Sequence, residues 1–155
     1  MGFKTKLAVI AFATTFSSVA FSADPMLGTG GYNRQLQKME MMKMLDANGD
    51  HMVTVAEADA YYNSVFDTLN KDSDDSLDTN EWVGTSGKTK IDIATGGYSR
   101  ELRSMKMMKA MDTDGDHKVT REEFLNFHRA IFAHKDTTGD EQISAQEWAA
   151  NLLSK

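Results

Sequence analysis

The sequence predicts an all-α protein made of two copies of one helix–loop–helix–loop–helix unit, with four acidic loops in all. Three observations carry this expectation. The stretch TGGYNRQLQKMEMMKMLDANGDHMVTVAE, from Thr29, returns without gaps 66 residues later as TGGYSRELRSMKMMKAMDTDGDHKVTREE. Each copy holds two twelve-residue loops with oxygen-bearing side chains at fixed positions. Twelve residues separate the two loops of each copy, and they show helical periodicity with neither proline nor glycine to break it.

The chain opens with MGFKTKLAVIAFATTFSSVAFSA: two lysines, an apolar run from Leu7 to Phe16, then small residues. That is the pattern of a cleaved secretory leader, and the run is too short to span a bilayer. Cleavage after Ala20, Ser22 or Ala23 fits, so residues 1–23 are assigned to the leader and the protein is expected in the periplasm or outside the cell. Loss of Lys4 and Lys6 takes the net charge from −6 to about −8. A balance of 17 basic against 23 acidic residues speaks against nucleic acid as a partner, which requires a basic stripe. No later stretch approaches a membrane span. An exported chain of this size often relies on disulfides, yet there is no cysteine. Bound metal would compensate, because a ligand of the folded state adds to its stability.

Next come the methionine-rich segments KMEMMKML and SMKMMKAM. Met42 and Leu45, and Met108 and Met111, fall at helical spacing and are expected to pack in the core. Two functional readings stand beside packing. One is a flexible surface that opens on metal binding and docks a protein partner. The other is copper(I) held by the thioethers of Met39, Met41, Met42, Met44, Met105, Met107 and Met108.

The loops follow. A hard divalent cation takes six to eight oxygens at about 2.3–2.6 Å, and a twelve-residue loop supplies them from alternate positions. In loop 46–57 the candidates are Asp46, Asn48, Asp50, the Met52 carbonyl, Thr54 directly or through water, and Glu57. Loop 70–81 offers Asn70, Asp72, Asp74, the Ser76 carbonyl, Asp78 and Glu81. Loop 112–123 offers Asp112, Asp114, Asp116, the Lys118 carbonyl, Thr120 and Glu123. Loop 136–147 offers Asp136, Thr138, Asp140, the Gln142 carbonyl, Ser144 and Glu147. Val53, Leu77, Val119 and Ile143 give each loop an aliphatic eighth residue. Loops 112–123 and 70–81 each offer four carboxylates and the other two offer three, but an opening aspartate ranks 112–123 and 46–57 first. Asn70 weakens the second loop and Thr138 the fourth. The sixth position, where the backbone must take a positive φ, holds His51, Asp75, His117 and Glu141 rather than glycine, at a cost of about 1 kcal/mol each.

On these four loops the chain resembles the EF-hand superfamily over units 29–84 and 95–150, with residues 85–94 as a linker. The resemblance implies up to four calcium ions. Between the loops, Ala58, Tyr62, Val65, Phe66 and Leu69, and again Phe124, Phe127, Ile131 and Phe132, recur at helical spacing. Twelve residues span about 20 Å as a helix, so one helix should leave the first loop and enter the second. The loops of one unit then sit at opposite ends of that helix, and loop pairing must occur between units. This compact spacing, with the leader and SVFDTLNKDSDDSLDTNEW, is similar to the lanmodulin family of periplasmic lanthanide-binding proteins. That implies lanthanide ions as the alternative cargo. Ala47, Lys71, Thr113 and Thr137 stand where that family carries proline, and only Asp78 supplies an aspartate at the ninth position.

His128 and His134 are expected on the surface, and Trp82 and Trp148 in the core. No serine, cysteine or histidine constellation suggests a nucleophile, and the loops absorb the carboxylates, so no enzyme activity is expected.

Overall fold

A computed structural model describes residues 31–84 and 101–153. The expected leader (1–23) and the expected linker (85–94) lie outside the described residues. In chain order the elements are α1 (Gly31–Leu36), α2 (Met39–Leu45), β1 (Met52–Thr54), α3 (Val55–Leu69), β2 (Ser76–Leu77) and α4 (Thr79–Val83). After the undescribed segment come α5 (Met105–Met111), β3 (Val119–Thr120), α6 (Arg121–Lys135), β4 (Gln142–Ser144) and α7 (Ala145–Leu153).

The expected all-α class is corrected here. Four short strands form two antiparallel ladders, so the described fold is mixed helix and sheet. The strands arise because each loop leaves its acidic half in extended backbone, and its aliphatic eighth residue needs a partner to become buried. Val53 lies opposite Ile143, and Leu77 opposite Val119; all four are at most 1% exposed. The first loop therefore pairs with the fourth, and the second with the third.

The direction of two long helices dictates this pairing. α3 and α6 each run unbroken for 15 residues between the loops of their own repeat. Each begins with a capping box, Thr54 with Glu57 and Thr120 with Glu123, which satisfies amides the first turn would otherwise leave open. They pack antiparallel: Arg129 pairs with Asp59 at one end, and Arg121 with Asp67 at the other, both at 2.7 Å. Between these ends Phe66 meets Phe124 edge to face, with ring centroids 5.6 Å apart. Antiparallel packing brings the start of α3 beside the end of α6, and with them loops one and four.

The short helices lock the two repeats together. α1 and α2 are interrupted around Gln37 and Lys38, and the interruption leaves carbonyls available. Trp148 on α7 donates its indole N–H to both, at 3.1 Å. Trp82 on α4 donates in the same way to the Ser104 carbonyl just before α5, at 3.0 Å. Each repeat thus closes on the other's first helix. The core formed this way contains Met41, Met42, Leu45, Met107, Met108 and Met111 with Phe66, Phe124 and both tryptophans.

His128 is a second correction. It is buried, 2% exposed, because its face of α6 turns toward α3 rather than solvent. His134 is exposed. Among the described residues no helix is long and apolar enough to cross a membrane.

Candidate metal centre

Each loop folds its acidic side chains inward by hydrogen bonds to its own backbone. At the first position Asp46, Asp112 and Asp136 accept from the fourth amide through one oxygen, at 2.7 Å each, and from the sixth through the other, at 2.9–3.0 Å. At the third position Asn48, Asp72 and Asp114 accept from the fifth amide. Thr138 differs: its hydroxyl donates to Asp136 at 3.3 Å. At the fifth position Asp50, Asp74, Asp116 and Asp140 all accept from the seventh amide, between 2.7 and 3.1 Å. Such Asx turns curl the chain so that alternate oxygens face one centre.

The twelfth residue draws each loop closed. Glu57, Glu81, Glu123 and Glu147 accept from the ninth amide through Oε2, and from the second through Oε1. Thr54, Asp78, Thr120 and Ser144 at the ninth position return the bond by accepting from the glutamate amide, which makes each of them the cap of the following helix. Met52, Ser76 and Gln142 open strands β1, β2 and β4, and Lys118 immediately precedes β3.

These donors hold several carboxylates in their charged form. The Thr54 amide, with further N–H and O–H donors, keeps Glu57 below the ordinary carboxylate range. Burial pushes Glu123 upward, but the donors of Thr120 and Thr113 outweigh it and the net shift is down. The Ser144 amide leads the set that lowers Glu147 to about 2. Asp74 is lowered by the Ser76 amide and hydroxyl, with Lys118 adding to the effect.

Two groups of three carboxylates converge: Asp72, Asp74 and Glu81 in the second loop, and Asp112, Asp114 and Asp116 in the third. Within each group, ligand atoms lie within 4.8 Å of one another. Oxygens on opposite sides of one calcium-sized ion are separated by about twice 2.4 Å, so this spacing suits a shared ion. Either acidic cluster could hold a metal ion. In the first loop Asn48 replaces one carboxylate, and in the fourth Thr138 does. Among the described residues, neither loop brings three carboxylates together within that distance.

The second loop departs from the others at its first position. Asn70 has one acceptor oxygen, which takes the Ser73 amide at 2.8 Å. Its amide nitrogen is a donor and cannot serve the sixth amide as aspartate does. Arginine from the third loop supports that corner instead: Arg121 bonds Asp75 at 2.6 Å, and its backbone N–H donates to the Asp75 carbonyl. Lys118 reaches Asp74 at 3.4 Å.

Sixth residues His51, Asp75, His117 and Glu141 have φ between 64° and 67°. The fourth position is also left-handed, in Gly49, Gly115 and Gly139, but the second loop places Ser73 there at φ 64°. Aligning the loops by their fourth residues would have exposed this second strained position.

Most methionines of the two rich segments lie inward. Met41, Met42, Met107 and Met108 are buried, Met39 and Met44 pack against the core, and Met105 is exposed. Met44 accepts a weak bond from the Tyr61 hydroxyl, and Met108 one from Thr79. Their thioethers fill the gaps between helices and hydroxyl groups.

No protein-family model and no curated protein matches the chain.

Proposed function

We propose that this chain is an exported EF-hand protein that takes up divalent cations, calcium foremost, in loops 46–57, 70–81, 112–123 and 136–147. The observation that carries the reading is the convergence of three carboxylates in each of two loops that share a ladder, Leu77 against Val119. Asp72, Asp74 and Glu81 would hold one ion, and Asp112, Asp114 and Asp116 its neighbour. The cation is cargo or signal, and its charge offsets the mutual repulsion of the carboxylates. The chain's own contribution is preorganisation. Backbone amides hold the first, third and fifth side chains in place, Thr138 excepted, and the twelfth glutamate ties each loop to the helix that follows. A helix that starts on a ligand is a helix whose position reports on the ion. Lys118 at Asp74 and Arg121 at Asp75 act as internal counter-charges in the second loop. Buried methionines favour a buffer or carrier over a partner-docking switch, because a methionine surface would require α2 and α5 to leave the core.

The test is a chelator-buffered titration of the mature chain with calcium, and in parallel lanthanum, read by circular dichroism and calorimetry. Saturable calcium binding at micromolar to millimolar levels supports the reading. Response to lanthanum with calcium inert at millimolar levels replaces it with the lanthanide alternative, and no response to either ion rejects both.

A further inference from the structure

The two repeats treat one symmetric position differently, and a cavity results. Arg121 is the first residue of α6, directly after its capping threonine. Its guanidinium lies over the Phe66 ring at 4.4 Å and bonds Asp75, Asp67 and Asn63 at 2.6, 2.7 and 3.2 Å. Sixty-six residues earlier, the first residue of α3 is Val55. Half of the surroundings of Arg121 are repeated there: Phe132 matches Phe66 and Glu141 matches Asp75, whereas Ala133 stands for Asp67 and Arg129 for Asn63. With valine in place of arginine the space stays open, as a cavity of about 430 Å³ lined by Val55, Tyr62, His128, Phe132, Ala133 and Glu141 among others. That volume suits a small ligand or a long side chain.

We propose that this cavity receives a guanidinium group on a short alkyl chain, placed over a ring and against one carboxylate as Arg121 lies over Phe66 and against Asp75. The aromatic face is Phe132, which would lie under the planar cation. Glu141 supplies the carboxylate, and among the described residues its side chain pairs with no cation. Asp136 also borders the cavity, but its oxygens accept from Thr138, Gly139 and Glu141 within the fourth loop, so Glu141 alone is the proposed partner. Arg129 also borders the cavity, but Asp59 holds it through three contacts of 2.7–3.2 Å, so its charge is already matched. The proposal does not depend on an ion in the fourth loop.

The experiment titrates the isotopically labelled chain with butylguanidinium and follows amide resonances of Phe132, Ala133 and Glu141. Saturable shifts in the millimolar range or below are expected. Butylammonium, with the same charge but no planar donor fork, should bind at least about threefold more weakly. Val55→Arg places an internal guanidinium in the cavity and should abolish saturation; Glu141→Gln should weaken binding about threefold or more, the order for an exposed ion pair. Equal binding of butylammonium, or unchanged affinity in Glu141→Gln, overturns the proposal even if Val55→Arg does not fold. So does an absence of saturable shifts at these amides. N-acetyl-arginine amide distinguishes the sources: binding comparable to butylguanidinium assigns the cavity to a protein arginine, and binding of butylguanidinium alone assigns it to a free small molecule.

Discussion

Tyr62 and His128 occupy the same position in the two repeats, 66 residues apart, and stack on each other with ring centroids 3.8 Å apart. They mark the place where α3 and α6 cross their shared pseudo-symmetry axis. A carbonyl can only accept, so the 2.7 Å contact from His128 Nδ1 to the Phe124 oxygen places the proton on Nδ1.

Desolvation lowers His128 to about 3. Unfolded, it would titrate near its ordinary 6.5. The unfolded chain therefore binds the extra proton between these values, and stability contributed by neutral His128 is present above pH 6.5 and lost on acidification. Denaturant unfolding from pH 7 to 5 should show stability falling with a slope approaching about 1.4 kcal/mol per pH unit from this residue. His128→Phe should remove that slope. An unchanged pH profile would show that the ring is solvated in solution.

Lys135 is 2% exposed, its ammonium lacks a hydrogen-bond partner, and it sits 4.3 Å above the Trp148 ring. Burial lowers it to about 8. Lys135→Met keeps the stem and discards the charge, so it should stabilise the chain by about 1 kcal/mol or more at pH 7. Wild-type stability should rise with pH between 8 and 10.5 as the folded lysine sheds its proton first, and the variant should lack that rise.

Ser73 occupies a left-handed position that glycine fills in the other three loops. Ser73→Gly should relieve strain and raise the melting temperature, by a stability gain of about 0.5–1 kcal/mol. Gly49→Ala in the first loop should act in the opposite direction by a similar amount. Thermal unfolding of the two variants side by side reads both signs.

Glu81 both closes the second loop and starts α4 through its capping box with Asp78. With calcium as the proposed ion, Glu81→Gln should reduce the affinity of that loop at least about tenfold, the loss expected when a charged ligand becomes neutral. Lys118→Met removes a counter-charge 3.4 Å from Asp74 and should raise affinity modestly. Calorimetric titration of each variant against wild type checks the pair. Equal affinities throughout would remove Glu81 from the ligand set.

Much of this architecture could be read from local sequence, because its causes are local. The loop spacing, the twelve-residue helical stretches and the left-handed sixth residues each follow from a few neighbouring residues and backbone sterics. What lay beyond local sequence depended on which way α3 and α6 run past each other. Asp59 and Asp67 are eight residues apart, as are Arg121 and Arg129, so the charges match equally well in parallel or antiparallel arrangement. The folded contacts show the direction taken: Arg129 on Asp59, Arg121 on Asp67, and the packed rings Phe66 on Phe124 and Tyr62 on His128. That direction sets the loop partners, draws the eighth residues into ladders and so makes strands of segments that sequence alone left as loops. It also buries His128, whose polarity had suggested the surface. By itself the sequence determined the loops and the helices between them, since each is fixed within a dozen residues. Tertiary structure alone decided their partners and the open cavity at Val55, because both depend on surfaces that meet only after the chain has folded back on itself.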